Sequence, residues 1–518
     1  MADEQKEIPA TWTTTILKKG TLENQKTIGA SIYYTAPVYK LGLTFSGDTN
    51  HVGVNSFLQR VEKLKVVRHI SKKQLFDSAV DLFTDQSLIW FSVVLGTISC
   101  EIKIRFSLTK TMKEERKKEI KDASGSEIIY NDLWTFKFDK EASNNKSEND
   151  TVTVLNSPLL AVLQNLESIP FTLPIDIDSV LNDVFEDSNI FVTVKFREFA
   201  FDGMRFCDAD RTEGKGIAQI LCLLIMLMNV KLLEYHDDLS ISFSVFKYKT
   251  EVDGPFIINS GLDDINDLGL ITSYKGNHYT DYWNGTESEC NKVEGYYTTY
   301  PPFMEEGSTY PIFSTDICKT IALGQTSLSE YRDISTLRFE LNDKSLASDS
   351  EDCVCINRTK GLDGNNHCYH QGTLDLSTCM GAPVILSHPH LMWASEEYQN
   401  SVDGLTYEYK EGHNTVIDFE PNVGYPVNGS IRLQFNMVLR PTMFGKEEVT
   451  LTKNLPRAML PLLWIEESFA FTDELVDELN NDLIDKINIT VIVQWVLIGV
   501  GAALTVIAIP LLMCCRKK

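Results

Sequence analysis

The sequence predicts an α+β ectodomain, an antiparallel β-barrel or sandwich with helices at one end, carried on one C-terminal transmembrane helix. Three observations predict it: a 23-residue uncharged run near the C-terminus, a change from helical to alternating apolar spacing near residue 239, and six cysteines clustered in the second half of the chain.

The run Val491 to Met513 has only Gln494 and Thr505 as polar side chains, long enough to cross a bilayer. Gly499, Gly501, Ala502 and Ala503 suit a membrane helix, and Pro510 stands near its end, where a helix tolerates it best. Cys514 and Cys515 follow, then Arg516, Lys517 and Lys518, whose charge puts this short end in the cytosol. The large part of the chain is then extracellular or lumenal. The two juxtamembrane cysteines fit palmitoylation as well as they fit free thiols in a reducing compartment.

Composition narrows the function. Residues 1–140 hold 21 basic and 17 acidic side chains, and the remainder holds 27 against 55. So acidic a surface repels nucleic acid and other polyanions. Cys290, Cys318, Cys353, Cys355, Cys368 and Cys379 form an even set on the outer side of the membrane and read as three disulfides. A zinc site built from Cys353, Cys355, His367, Cys368 and His370 is the competing reading. The sequon at Asn357 inside that cluster argues for the lumen, where thiols oxidise. Further sequons stand at Asn145, Asn149, Asn284, Asn428 and Asn488, the last too close to the span for easy glycosylation.

From about 150 to 235 the apolar spacing is helical: Leu159, Leu160, Val162 and Leu163, then Ile177, Val180, Leu181 and Val184. Asp176, Asp178, Asp183, Glu186 and Asp187 read as a solvated helix face rather than an ion site. Ile217 to Val230 is apolar but too short to span, so it is read as a buried helix or an apolar contact surface. Beyond 239, Ser240 to Phe246 and Ile431 to Val438 alternate polar with apolar as strands do.

No catalytic constellation is present: no nucleophile elbow, no zinc-protease helix and no phosphate loop. His388 and His390 flank a proline without an evident third ligand, and structural histidines are the commoner case. Asp418 and Glu420 share a strand face yet lack the companions that hydrolysis needs. No enzyme activity, cofactor or metal is expected.

An ordered series carries a family resemblance: Trp283, Cys290, Pro301 to Phe303, Phe313 to Cys318, Arg338, Phe339, Cys353 to Cys355, Leu374 to Leu376, Cys379, Pro389, His390, His413, Ile417 to Pro421, Gly424, Leu455 and Pro461 to Trp464. Across residues 116–515 the chain resembles the class B scavenger receptor family. Cys207 to Thr212, Pro302, Phe303 and Leu462 to Glu467 are most similar to insect sensory neuron membrane proteins.

The resemblance implies a large irregular antiparallel barrel with an apical helical bundle and an internal lipid tunnel leading toward the bilayer. It implies the pairs Cys290–Cys353, Cys318–Cys379 and Cys355–Cys368, while the sequons themselves predict glycans at Asn145, Asn149, Asn284, Asn357 and Asn428. The expected function is a plasma-membrane receptor that binds pheromone-like or fatty acid-derived lipids and delivers them to the membrane or an odorant receptor, with odorant-binding proteins as further partners and no nucleic acid. An acidic apex at Leu159 to Asp187 would favour neutral or weakly polar lipids. A general scavenger or adhesion receptor is the alternative.

The family has two transmembrane helices, yet Met1 to Ala30 is polar and Ser87 to Cys100 is only 14 residues long. Residues 37–93 instead resemble the capsid region of retrotransposon gag, through Phe45 to Asp48, Asn55 to Val61, Gln74 to Phe76, Ala79 to Leu82 and Leu88 to Phe91. The expected organisation is an unassigned 1–36, a small helical gag-like 37–93, a junction 94–115, the ectodomain 116–488, the membrane helix 489–513 and the tail 514–518. A non-functional retroelement chimera is the second alternative.

Overall fold

The computed structural model describes residues 111–515, apart from 124, 144–145, 168–174, 229, 347–351 and 406. Before residue 111 it describes only the strands Ala10–Thr15, Gly29–Thr35, Val38–Thr44 and Ile102–Phe106, of which the first three form a small antiparallel sheet. Val38–Thr44 begins the gag-like segment as a strand; residues 45–101, including the Ser87 to Cys100 run, lie outside the described residues.

A thirteen-stranded antiparallel sheet organises the ectodomain. In chain order its strands are β1 Ile102–Phe106, β2 Thr111–Asp122, β3 Glu127–Asp139, β4 Asp253–Asn259, β5 Ile271–Tyr274, β6 Thr309–Ser314, β7 Lys319–Tyr331, β8 Ile334–Glu340, β9 Thr373–Asp375, β10 Ile385–Ser387, β11 Val416–Glu420, β12 Tyr425–Leu439 and β13 Ala458–Ala470. In space they run β5-β4-β3-β2-β1-β13-β12-β11-β8-β7-β6, with β9 on β10 and β10 on β12. Most neighbours are also neighbours in sequence, as short antiparallel connections demand.

The two ends of this order are β5 and β6, and one segment bonds to both. The Ile271 N–H donates to the Gly295 carbonyl (2.7 Å), while the Tyr296 N–H donates to Pro311 (2.8 Å) and the Phe313 N–H to Tyr296 (3.0 Å). A side chain at residue 295 would have its Cβ 2.7 Å from the Pro311 oxygen, and φ there is +123°, so this close approach requires glycine.

Helices gather where the sequence places them, with strands between. Helix α1 (Ser157–Leu166) is capped by the Asn156 side chain and buries Leu159, Leu160, Val162, Leu163 and Leu166. Helix α2 (Ile177–Val184) is capped by Asp176 and buries Ile177, Val180, Leu181 and Val184. Helix α3 (Gly216–Met226) buries Ala218, Leu221, Cys222 and Ile225 and turns Ile217, Ile220, Leu223 and Leu224 outward. All three share one core with Leu463 and Ile465 of β13, so the bundle is seated on the sheet.

The helical expectation over 150–235 is corrected at Thr151–Leu155 and Phe191–Lys195, which pair antiparallel across α1 and α2, and at Met204–Phe206. Alternating Val and Thr at Val152, Thr153, Val154, Val192, Thr193 and Val194 explain the strand pair, since β-branched side chains prefer the pleat. Within 240–246 only Ile241–Phe243 is strand, and all three residues are buried, because core packs on both of its faces.

At the other end, helix α4 (Asp473–Leu479) is capped by Thr472 and packs Leu475, Val476 and Leu479 against Tyr425, Val427 and Phe471. Helix α5 then runs from Asp485 to Cys515 over 31 residues. Its described side chains from Ile492 to Val506 are exposed on every side, Trp495 and Val506 each at 68 %. Taking the described residues alone, no helix is long and apolar enough to cross a membrane; the side chains of 507–518 are not among them.

Candidate functional site

The alternation of β12 and β13 builds a cavity. Ile431, Leu433, Phe435 and Met437 are two apart on β12, and Leu463, Ile465, Glu467 and Phe469 are two apart on β13. Side chains at that period share one face of a strand, and all eight line a single cavity of about 240 Å³. The intervening residues of β12 turn away: Arg432 pairs with Glu466 (2.8 Å), and Gln434, Asn436 and Ser387 bond to one another in the core.

The cavity reaches both ends of the fold. At the helical end it is lined by Pro158, Ala161 and Asn165 of α1 and by Ile225 and Met228 of the α3 region. At the other it reaches Tyr300, Tyr425 and Phe469, and Tyr425 belongs to the cluster that buries α4, the helix before α5. The wall is overwhelmingly apolar, with Trp134, Phe199, Phe246 and Ile417 among its larger surfaces. Such a surface takes hydrophobic ligands, each methylene leaving water contributing about 0.8 kcal/mol.

Charge enters the wall at Lys118, Lys249, Asp316 and Glu467. Lys249 Nζ lies 2.8 Å from Asp316 and 3.0 Å from Glu467, and the Tyr248 hydroxyl donates to Asp316 (3.0 Å). Burial alone would raise the Asp316 carboxyl, but the Lys249 ammonium overrides it and holds the group below the usual carboxylate range. Burial, with the Asp316 charge beside it, pushes the Tyr248 phenol well up, so it remains a neutral donor. Lys118 donates to the Thr298 hydroxyl and sits 4.5 Å from the centre of the Tyr130 ring.

The six clustered cysteines form three disulfides in the structure: Cys290–Cys353, Cys318–Cys379 and Cys355–Cys368, with Cα atoms 6.0, 6.2 and 5.0 Å apart. A fourth, Cys207–Cys222, ties α3 to the end of the Met204–Phe206 strand. Sequence reasoning missed this pair. The signal available was arithmetic: once the six and the tail pair are set aside, Cys100, Cys207 and Cys222 remain, and two of these stand 15 residues apart beside the apical helix.

Of the sequons, Asn149 and Asn357 are exposed. Asn284 is also exposed, but its amide donates to the Cys355 carbonyl. Asn428 is half-buried and donates to Asp418 (3.0 Å). Asn145 and the side chain of Asn488 lie outside the described residues, as do those of Cys514 and Cys515, which end α5.

The other candidates have structural duties. Asp178 accepts from the Thr450 and Leu451 N–H groups and Asp183 pairs with Lys215, so part of the acidic face ties α2 to its surroundings. His388 is buried edge-on to Trp393, while His390 stacks on His413 at 4.3 Å. Asp418 accepts a bidentate Arg338, and Glu420 accepts from the Val423 N–H. Between Asp418 and Phe419 the register against β12 shifts by one residue, the extra residue being Val427 of β12.

Residues 111–512 match the CD36 family, the class B scavenger receptors. The chain is 34 % identical over 439 residues to sensory neuron membrane protein 2 of Aedes aegypti, covering 74 % of this chain and 79 % of that protein. It is 33 % identical to the Anopheles gambiae protein of the same name, covering 74 % of each. Sensory neuron membrane protein 1 of Ostrinia furnacalis is 31 % identical over 325 residues, 62 % of this chain and 58 % of that protein.

Proposed function

We infer function from a chain that belongs to the CD36 family and carries an apolar cavity running through its sheet: it captures hydrophobic, pheromone-like or fatty acid-derived ligands outside the cell and delivers them to the membrane or to an odorant receptor. The observation that carries this reading is the continuity of the cavity from Pro158 and Ile225 at the helical end to Tyr425 beside α4. In this reading the Gly295–Tyr296 segment closes the sheet into a barrel, and the cavity is its tunnel.

Helix α5 is proposed as the membrane span. A helix apolar on all sides, whose side chains from Ile492 to Val506 no described residue covers, suits a bilayer. The basic residues 516–518 place its C-terminus in the cytosol and the disulfides outside, at the plasma membrane. An olfactory setting is suggested by the names of the relatives. The acidic surface disfavours polyanionic particles, so a general scavenging role stands second.

The test is displacement of a fluorescent long-chain lipid from the full chain in lipid nanodiscs. Ala161→Trp, which fills the cavity from α1, is expected to weaken binding at least about tenfold, equivalent to about 1.4 kcal/mol. A folded Trp variant that binds as the parent does would remove the cavity from the function.

A further inference from the structure

The row that β13 turns into the cavity is Leu463, Ile465, Glu467 and Phe469, so a carboxylate stands where the strand otherwise presents apolar side chains. Its environment is specific. Glu467 Oε1 accepts from Lys249 Nζ at 3.0 Å, and no hydrogen bond to Oε2 occurs among the described residues. The side chain keeps 16 % of its surface accessible while lining the cavity. Both oxygens of the neighbouring Asp316 are engaged, Oδ1 by the Tyr248 hydroxyl and Oδ2 by Lys249. The cluster therefore sets Asp316 and Glu467 around Lys249, with the Lys231 charge also acting on Asp316, and the acceptor it leaves to an occupant of the cavity is a carboxylate oxygen of Glu467.

We propose that Glu467 is the head-group receptor of this cavity, accepting a hydrogen bond from the hydroxyl of a long-chain alcohol and thereby selecting alcohols over fatty acids and over heads that only accept. The inference rests on the lipid-binding reading above and names the ligand class for it. A carboxylate head hydrogen-bonded at this position would meet the Glu467 charge directly. An aldehyde or ester head would displace water from Glu467 and return no hydrogen bond, and sites built to bond a hydroxyl discriminate strongly against analogues without one. The competing cation of the wall is Lys118, which is 5 % exposed and already donates to Thr298.

The experiment compares hexadecan-1-ol, hexadecanal and hexadecanoate as displacers of a fluorescent lipid from the full chain in nanodiscs near neutral pH. The alcohol is expected to act at about tenfold lower concentration than the acid and severalfold lower than the aldehyde. Glu467→Gln should bring the acid to within about threefold of the alcohol, because the repelling charge is gone. The parent chain's ranking decides the matter even where that variant does not fold. An acid that binds as well as the alcohol or better would place the head at Lys118 and overturn the proposal. Equal displacement by all three would leave lipid binding intact and sink head-group selection, whereas failure of the parent to bind the probe at all would sink both readings.

Discussion

Glu167 and Arg440 form the most buried ion pair described in this chain, and removing one partner should unseat the helical end. Arg440 Nη2 and Nη1 lie 2.6 and 3.0 Å from the two Glu167 oxygens, and the side chains are 2 and 3 % exposed. Glu167 also accepts from the Met443 N–H (2.8 Å) and lies 3.6 Å from Lys360. It follows α1 directly, so it locks the cavity-lining helix to the end of β12. Glu167→Gln keeps the shape and a carbonyl acceptor for Met443 but strands the guanidinium in the interior. Breaking such a pair from one side costs about 3–5 kcal/mol, whereas replacing both partners by apolar residues is often near neutral. For a folded unit of this size, that cost corresponds to a melting temperature lowered by about 4–6 °C. Thermal unfolding at one fixed scan rate should therefore show a large loss for Glu167→Gln and a substantial recovery for Glu167→Leu combined with Arg440→Met. A single variant within about 1 °C of the parent would show that the pair does not anchor α1. So would a double variant no better than the single.

Three further outcomes are expected. Burial pushes the His388 imidazole down to about 4, against about 6.5 when unfolded, so the unfolded chain takes up a proton that the folded chain excludes. Its contribution is then complete above about pH 6.5 and is lost as pH falls toward 4, a total on the order of 3 kcal/mol; melting temperature against pH should decline across that window, and less in His388→Phe. Removing the Cys207–Cys222 bond, whose cysteines are 15 residues apart, frees a loop worth about 3 kcal/mol. Cys207→Ser with Cys222→Ser should accordingly make the 207–226 segment the first to exchange amide hydrogens, and unchanged protection there would contradict this role. Glycopeptide mass spectrometry of the full chain expressed in eukaryotic cells should find sugar at Asn149 and Asn357, and little at Asn428, whose amide is held by Asp418; heavy occupancy at Asn428 would show that this contact forms only after glycosylation can act.

Much of the site was legible because it rests on local periodicity. The alternation over Ile431 to Val438 predicted the strand whose Leu433 and Phe435 now face the cavity, and the three-to-four spacing of Leu159, Leu160, Val162 and Leu163 predicted α1. Where periods compete, reading failed: Val192, Thr193 and Val194 lie between helices, and only pairing with Val152, Thr153 and Val154, about forty residues away in sequence, makes them a strand. For the Cys207–Cys222 bond the sequence offered only the count of leftover cysteines and their spacing; that α3 packs back onto residue 207 is a tertiary contact.

The C-terminal run shows the same division. Its length, its lack of charge and the basic tail are properties of consecutive residues, so the sequence by itself determined an uncharged helix followed by the basic residues Arg516, Lys517 and Lys518. Tertiary structure alone decided that α4 joins this helix to the end of the sheet where the cavity reaches Tyr425. It alone decided that Lys249, Asp316 and Glu467 meet in the cavity wall. Those three residues lie on separate segments far apart in the chain, and a charge cluster of that kind is set by how those segments pack together rather than by any pattern along them.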